Sequence, residues 1–239
     1  MHHLHGVRLD PLYHEMDEYE RIIHQFKKKA KNFHDYNLKK AKKNGGETEE
    51  ERTKRLAERK AEFLHLKHEA AFAKTRAQVQ ARIIKLQNYR NHGLTHNQML
   101  GEEYHPTDEL EEMLRADGRP KPSYKHTAHH IVPGKGKTEL AASARIELHL
   151  HNIRINDPDN GVWMIRLKED KGHWSMKKAN SHLEIHTHNY ERWILTKLEL
   201  ADDEGEARGA LFNIRNRLQN GTQPPEVTMP PDSAWGGNG

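Results

Sequence analysis

The chain has no cysteine, which removes disulfide frameworks, thiolate metal sites and cysteine nucleophiles together. Any metal centre must rest on histidine, aspartate or glutamate. Long apolar runs are also missing: nothing approaches the roughly 18 consecutive apolar residues of a membrane span, so no membrane insertion is expected. The opening Met1-His2-His3-Leu4-His5-Gly6 leads into charged sequence and lacks the form of a cleavable signal peptide. Apolar residues are scarce overall, 34% of 239 against 31% charged. That balance suits helices with one buried stripe better than a single large core.

What the chain has in quantity is charge and histidine. The net charge of +4 tilts it toward polyanions without establishing such a partner. Helix-forming residues run from Leu12 to about Lys43 and stop at Asn44-Gly45-Gly46. Thr48, with acidic residues close behind, starts a second helix that no Gly or Pro interrupts until Gly93. Along it Leu56, Phe63, Ala70, Ala77 and Ile84 recur every seven residues, with Leu66 and Ala73 between, which predicts a coiled-coil-like seam and a helical hairpin. The lysine-rich run from Lys27 to Lys43 reads as a solvated face that pairs with the acidic residues Glu47 to Glu51, with a DNA-binding arm as the alternative. A short helix from Thr107 to Arg115 and the linker Asp117-Gly118-Arg119-Pro120 place a boundary at residues 118/119. Past Gly221 the Pro- and Gly-rich composition predicts a disordered tail. The expected division is 1–118, 119–220 and 221–239.

Nine of the 20 histidines lie between His126 and His188. Ala128-His129-His130-Ile131-Val132-Pro133 has strand composition, and neighbouring strand residues face opposite ways, so His129 and His130 must have different jobs. Glu139 to Leu150 reads as a helix, and Asp157-Pro158-Asp159-Asn160-Gly161 as a turn into the strand Val162 to Ile165. Ser181 to Glu199 reads as a helix, on which His182 and His186, four apart, would share a face and reach one ion. A structural zinc knot is disfavoured, since such sites usually draw on several cysteines.

The ordered set Ala128-His129-His130-Ile131-Val132-Pro133, Ala142 and Arg145 before Asn152-Ile153, Asp159-Asn160-Gly161-Val162, and His182 to His186-Thr187 with Tyr190 resembles the His-Me finger (HNH, ββα-metal) nucleases. Within them it is similar to the AHH branch of bacterial polymorphic toxins, over roughly residues 124 to 198, and it also looks like the nuclease domain of colicins. Two departures are a long loop between Asn160 and His182, and His188 as an extra candidate ligand. The resemblance implies a small ββα-metal nuclease domain with extra helices; with the helical hairpin read from the N-terminal half before it, an α+β, mostly α chain is expected.

It further implies His129, His182 and His186 as metal ligands, His130 as general base, and Asn160 as the residue that holds the loop and orients that base. The implied cofactor is one divalent ion: imidazoles favour Zn2+ or Ni2+, whereas nucleases of this type often run on Mg2+ or Mn2+. Hydrolysis would leave a 5′ phosphate. Lys135, Lys137, Arg145, Lys171 and Arg192 are candidate phosphate contacts. With no sequence-reading element in view, little sequence specificity toward DNA is expected.

The resemblance also implies an antibacterial effector, exported by a specialised system such as type VI secretion and acting in the cytoplasm of a target bacterium. Its partners would be DNA, a cognate immunity protein, and a secretion carrier or chaperone. The alternatives are a phage or mobile-element HNH endonuclease and, outside enzymes, a metal-dependent DNA-binding or scaffold protein.

Overall fold

The computed structural model has two long helices on either side of the expected break, whose Asn44 and Gly45 lie outside the described residues; it describes residues 3–4, 7–8, 12–41, 46–91, 93–102, 107–136 and 138–231. The chain divides into two compact units, Met1–Ile84 and Lys85–Gly239. The first holds a two-residue ladder, β1 (His3–Leu4) with β2 (Val7–Arg8), the helix α1 (Glu18–Ala41), and most of α2 (Glu49–Arg90). The two helices run antiparallel, with Lys29 on α1 paired to Glu69 on α2 at 3.1 Å.

The expected seam holds over part of α2 only. Leu66 and Ala77 are buried, and Ala70, Ala73 and Ile84 half-buried, but Leu56 and Phe63 are exposed. A straight helix drifts about 20° per heptad from a 3.5-residue repeat, so positions two and three heptads from Ala77 turn away from the partner.

The second unit carries α3 (His96–Leu100), α4 (Thr107–Ala116), β3 (His126–His130), α5 (Glu139–Leu150), β4 (Gly161–Ile165), α6 (His188–Glu199) and α7 (Glu204–Asn220). Strands β3 and β4 pair antiparallel, His129 opposite Val162 and His130 opposite Gly161. Side chains of β4 alternate between faces. Val162 and Met164 join a core with Ala144 and Leu148 of α5, Trp193 and Ile194 of α6, and Leu211 and Ile214 of α7. Trp163 and Ile165 point the other way, onto Leu110 and Leu114 of α4. The two-stranded sheet is thus covered on both sides by helices. Gly161 eases this: a Cβ there would lie 2.8 Å from Leu110 Cδ1 and 3.0 Å from Leu114 Cδ2, so a larger residue would push the leucine side chains of α4 aside.

The compact units meet at 84/85, and the last turns of α2 and all of α4 belong to the second: Leu86 and Tyr89 pack on Met113. The segment after Gly221 is structured as far as Pro231. Pro225–Thr228 form a 3-10 turn, Val227 is fully buried in the core, and Asn189 Nδ2 donates to the carbonyls of Glu226 (2.9 Å) and Pro230 (3.1 Å). A Pro-rich composition does not preclude order when one apolar residue and a few carbonyls find partners. Residues 232–239 of the expected tail lie outside the described residues.

Candidate metal centre

Strand β3 delivers its two histidines into different surroundings. His129 is buried against α6, where its ring centre lies 4.9 Å from that of His182 and 5.2 Å from that of His186. His182 and His186 approach each other to 3.0 Å between Nε2 atoms. The ligand atoms of the three lie within 4.8 Å of one another, the one such triad found among the described residues.

The expected single helix is corrected here. His182–Glu184 form a 3-10 turn, and α6 begins only at His188. Two caps impose the interruption. Glu184 reaches back to Ser181, accepting from its N–H at 2.8 Å and its hydroxyl at 2.9 Å, and Thr187 caps α6 by accepting from the Tyr190 N–H at 3.0 Å. Ile185 is fully buried between the two histidines and anchors the turn, whereas Leu183 is exposed. His182 and His186 therefore converge although they do not share one helix.

Burial and the neighbouring rings hold His129 well below the ordinary imidazole pKa, and burial with His186 pushes His182 down to about 4. Neutral imidazoles at neutral pH are the form a metal requires. Facing ring nitrogens at 3.0 Å are satisfied by one shared proton or by a cation drawing on both lone pairs, so the donor set fits one divalent ion. Tyr190 adds an orienting contact. Its hydroxyl donates to the Ile131 carbonyl at 2.7 Å, so toward His129 Nε2, 3.2 Å away, it can only accept. The proton of His129 then sits on Nε2, and Nδ1 keeps its lone pair.

His130 is held differently. Its Nε2 lies 2.8 Å from Asn156 Oδ1, and Asn156 is fixed in turn by its backbone N–H donating to the Tyr89 hydroxyl at 3.0 Å. That hydroxyl gives its own proton to Glu102 (2.6 Å), which also receives Arg154 at 2.9 Å. Burial first, then the Glu102 hydrogen bond and charge, raise the pKa of Tyr89, so it stays a neutral donor.

Asn160, expected both to hold the loop and to orient the base, does the first in this geometry. Its Oδ1 accepts from the Val132 N–H at 2.8 Å, and its Nδ2 donates to the Val132 and Ile155 carbonyls at 3.2 and 2.9 Å. Contact with His130 belongs to Asn156, which composition and spacing did not single out. Its signal in the sequence is weak, a polar residue ending the apolar run Ile153-Arg154-Ile155.

The candidate phosphate contacts separate. Lys135 is exposed and lines the same cleft of about 220 Å³ as His129, His130, His182 and His186. Arg145 is corrected: it is buried, donating to the carbonyls of Gly134 (3.2 Å), Leu100 (3.1 Å) and Glu102 (2.6 Å), because a guanidinium can serve several carbonyls left over at a helix end. Lys171 pairs with Glu184 at 3.0 Å and braces the 3-10 turn, while Arg192 is half-buried on α6. Lys137 lies outside the described residues, and His188 stands apart from the triad as the first residue of α6.

A strand bearing His-His, an antiparallel partner strand, and a 3-10 turn leading into a helix, which brings two more histidines to the first, define a nuclease of the His-Me finger class. Residues 110–220 match the AHH family, described as a nuclease family of the HNH/ENDO VII superfamily with conserved AHH, and this part of the chain is an AHH nuclease domain. The Ala-His-His of that description is Ala128-His129-His130 on β3. No curated protein and no solved structure matches the chain. The domain is therefore a metal-dependent nuclease domain acting on nucleic acid, with a histidine site able to hold one divalent ion. No described helix is long and apolar enough to cross a membrane.

Proposed function

We propose that this protein is an endonuclease that hydrolyses DNA phosphodiester bonds with little sequence specificity, using His129, His182 and His186 to hold a divalent ion and His130 as general base. The observation that carries the reading is the single cleft into which all four histidines open, three of them clustered and the fourth tied to its own polar relay. The ion, when bound, would stabilise negative charge on the phosphorane and on the departing 3′ oxygen.

The remaining work falls to side chains. With Nε2–H donating to Asn156, His130 presents Nδ1 as the lone pair that takes the proton of the attacking water, a task suited to an imidazole at neutral pH. Asn156, Tyr89 and Glu102 keep that tautomer and ring orientation, and Asn160 pins the loop that begins at Val132. Lys135 meets a phosphate next to the one cleaved.

The biological setting we infer is an antibacterial toxin carried out by a secretion system such as type VI and restrained in its producer by an immunity protein. The support for this part is the resemblance of residues 124–198 to polymorphic-toxin nucleases. The helices before residue 85 would then serve as a loading, carrier-docking or immunity-binding module.

Plasmid cleavage with Mg2+, Mn2+, Zn2+ and Ni2+ titrated separately tests the enzyme. His130→Ala is expected to lower the rate by about 10²–10⁴-fold while metal binding by calorimetry stays as in the parent. His182→Ala or His186→Ala is expected to weaken metal binding itself. Cleavage at the parent rate by His130→Ala sinks the base assignment, and unchanged metal affinity removes the substituted histidine from the ligand set.

A further inference from the structure

Among the domain's histidines outside the metal centre, two are tied together. His126, at the opposite end of β3, is buried with its ring centre 5.1 Å from that of His173 in the long loop between β4 and His182. Two serines tie them together. Ser123 Oγ lies 2.9 Å from His126 Nδ1 and 3.5 Å from His173 Nε2; Ser175 Oγ lies 3.0 Å from His126 Nε2 and 2.8 Å from His173 Nδ1. The loop is anchored from below by Met176 and Ala179, buried with Ala128, Trp163 and Ile165.

From this fixed frame two aromatic rings project into solvent: Tyr124 is 85% exposed and Trp174 73% exposed. Each adjoins in sequence a residue of the Ser123–His173 contact. One exposed aromatic on a surface is ordinary. Here two rise from segments that the Ser123 and His173 side chains join, in a basic surround. Lys121, Lys125 and Lys171 are held by Glu111, Asp170 and Glu184 at 2.7, 2.6 and 3.0 Å. Arg166, Lys168, Lys177 and Lys178 are exposed, and no ion pair engages them among the described residues. Aromatic rings on a rigid base with cations around them are the components of a stacking platform for nucleic acid.

We propose that this face, residues 121–125 and 166–178, holds an unpaired stretch of the nucleic-acid substrate by stacking bases on Tyr124 and Trp174. An unpaired strand is the occupant that fits, because a duplex offers a surface ring its edges and phosphates, whereas an unpaired base offers its π-face. Strand β3 links this frame to the metal side, a span of about 13 Å for the four steps from His126 to His130. The domain would thus favour substrates with a single-stranded or opened segment beside the cut. The inference rests on the reading of the site as a nuclease for nucleic acid.

Binding of a fluorescent oligothymidine and of a duplex of equal length, measured by anisotropy with the full chain in excess chelator, tests the platform without cleavage. Tyr124→Ala/Trp174→Ala is expected to weaken single-strand binding at least tenfold and duplex binding less than threefold. Both positions are exposed, so the circular-dichroism melting curve should match the parent. Lys177→Ala/Lys178→Ala is expected to weaken both ligands comparably and to flatten the salt dependence. Equal weakening of single strand and duplex by the aromatic variant, or no weakening, overturns the platform. Parallel plasmid cleavage separates the two readings: a parent protein that cuts while the aromatic variant binds normally loses the platform alone, and one that never cuts while the single-strand effect persists loses the nuclease reading alone.

Discussion

Along α2 in the first unit, Leu56, Phe63, Leu64, Phe72 and Val79 stand exposed, with Leu66 and Ala77 buried. In the second unit Val162, Met164, Ile185, Trp193 and Ile194 have no exposed surface. The same residue types do different work in the two places. A side chain enclosed on all sides fixes the backbone around it, and a catalytic constellation must be held to within about 0.5 Å by such neighbours. That explains why the histidines converge in the second unit: β3 lies between two packed layers, and Ile185 is locked into the core between two of the three clustered rings. The first unit turns apolar side chains of α2 to solvent and encloses fewer of them.

If the contrast in burial is a contrast in energy, Trp193→Ala should show the largest effect on stability. Deleting a fully buried Trp side chain costs about 3–5 kcal/mol, and the urea midpoint of the second unit should fall accordingly, with metal binding lost as the core loosens. A midpoint within experimental scatter of the parent would show that the enclosed core is not what holds the site.

Asp157 is the polar counterpart and should come next. Its carboxylate is almost wholly buried, receiving Arg90 at 3.0 Å and Arg208 at 3.3 Å, and it caps the turn that leads through Asn160 into β4. Burial alone would raise its pKa, but the Arg90 hydrogen bond and the charges of Arg208 and Arg90 outweigh burial and hold it below the ordinary value. A depressed carboxylate adds stability that is complete above its unfolded pKa of about 3.9 and is lost as the pH falls through the lower folded value. Asp157→Asn should therefore cost about 3 kcal/mol at neutral pH, the low end for a broken buried pair because Asp159 still receives Arg208. Below the ordinary carboxylate range the difference from the parent should shrink. A constant difference across the acid limb would separate Asp157 from the linkage.

These two residues also mark what the sequence made legible. The apolar alternation of β4 and the turn at Asp157–Gly161 could be read directly, because both are local patterns. The convergence of His182 and His186 was legible from their spacing, but the 3-10 turn was not, since it depends on Ser181 and Glu184 closing a cap where a continuous helix was equally compatible with composition. The relay behind His130 was out of reach: Tyr89 and Asn156 are 67 residues apart, and nothing in either neighbourhood announces the other. Arg145 misled for the opposite reason. A basic residue defaults to the surface, and only the carbonyls left over around Leu100 and Glu102 make a buried guanidinium favourable.

Within the second unit, Asn156→Ala sharpens the division between fold and chemistry. It removes the oxygen that accepts from His130 and leaves the backbone N–H bond to Tyr89 in place. The expected result is a cleavage rate about tenfold lower, in keeping with lost orientation of a general base rather than its loss, with a melting curve close to the parent. A cleavage rate equal to the parent's would remove Asn156 from the orientation of His130, and a rate drop accompanied by a lowered melting curve would assign it to the fold.

The smallest effect belongs to the first unit and bears on the comparison most directly. Phe72 on α2 is two-thirds exposed, at 67%, so truncating it removes little buried area and leaves no cavity. Phe72→Ala should change stability by no more than about 0.5 kcal/mol, the usual range for surface substitutions, and leave plasmid cleavage untouched. An aromatic residue held in solvent at that little cost to the fold is free to serve another purpose, so the same variant should be assayed in cells for export and for neutralisation. A loss of 2 kcal/mol or more, by contrast, would mean that Phe72 is covered in solution, and the contrast between the units would then reflect an association of the helices rather than a division of labour within one chain.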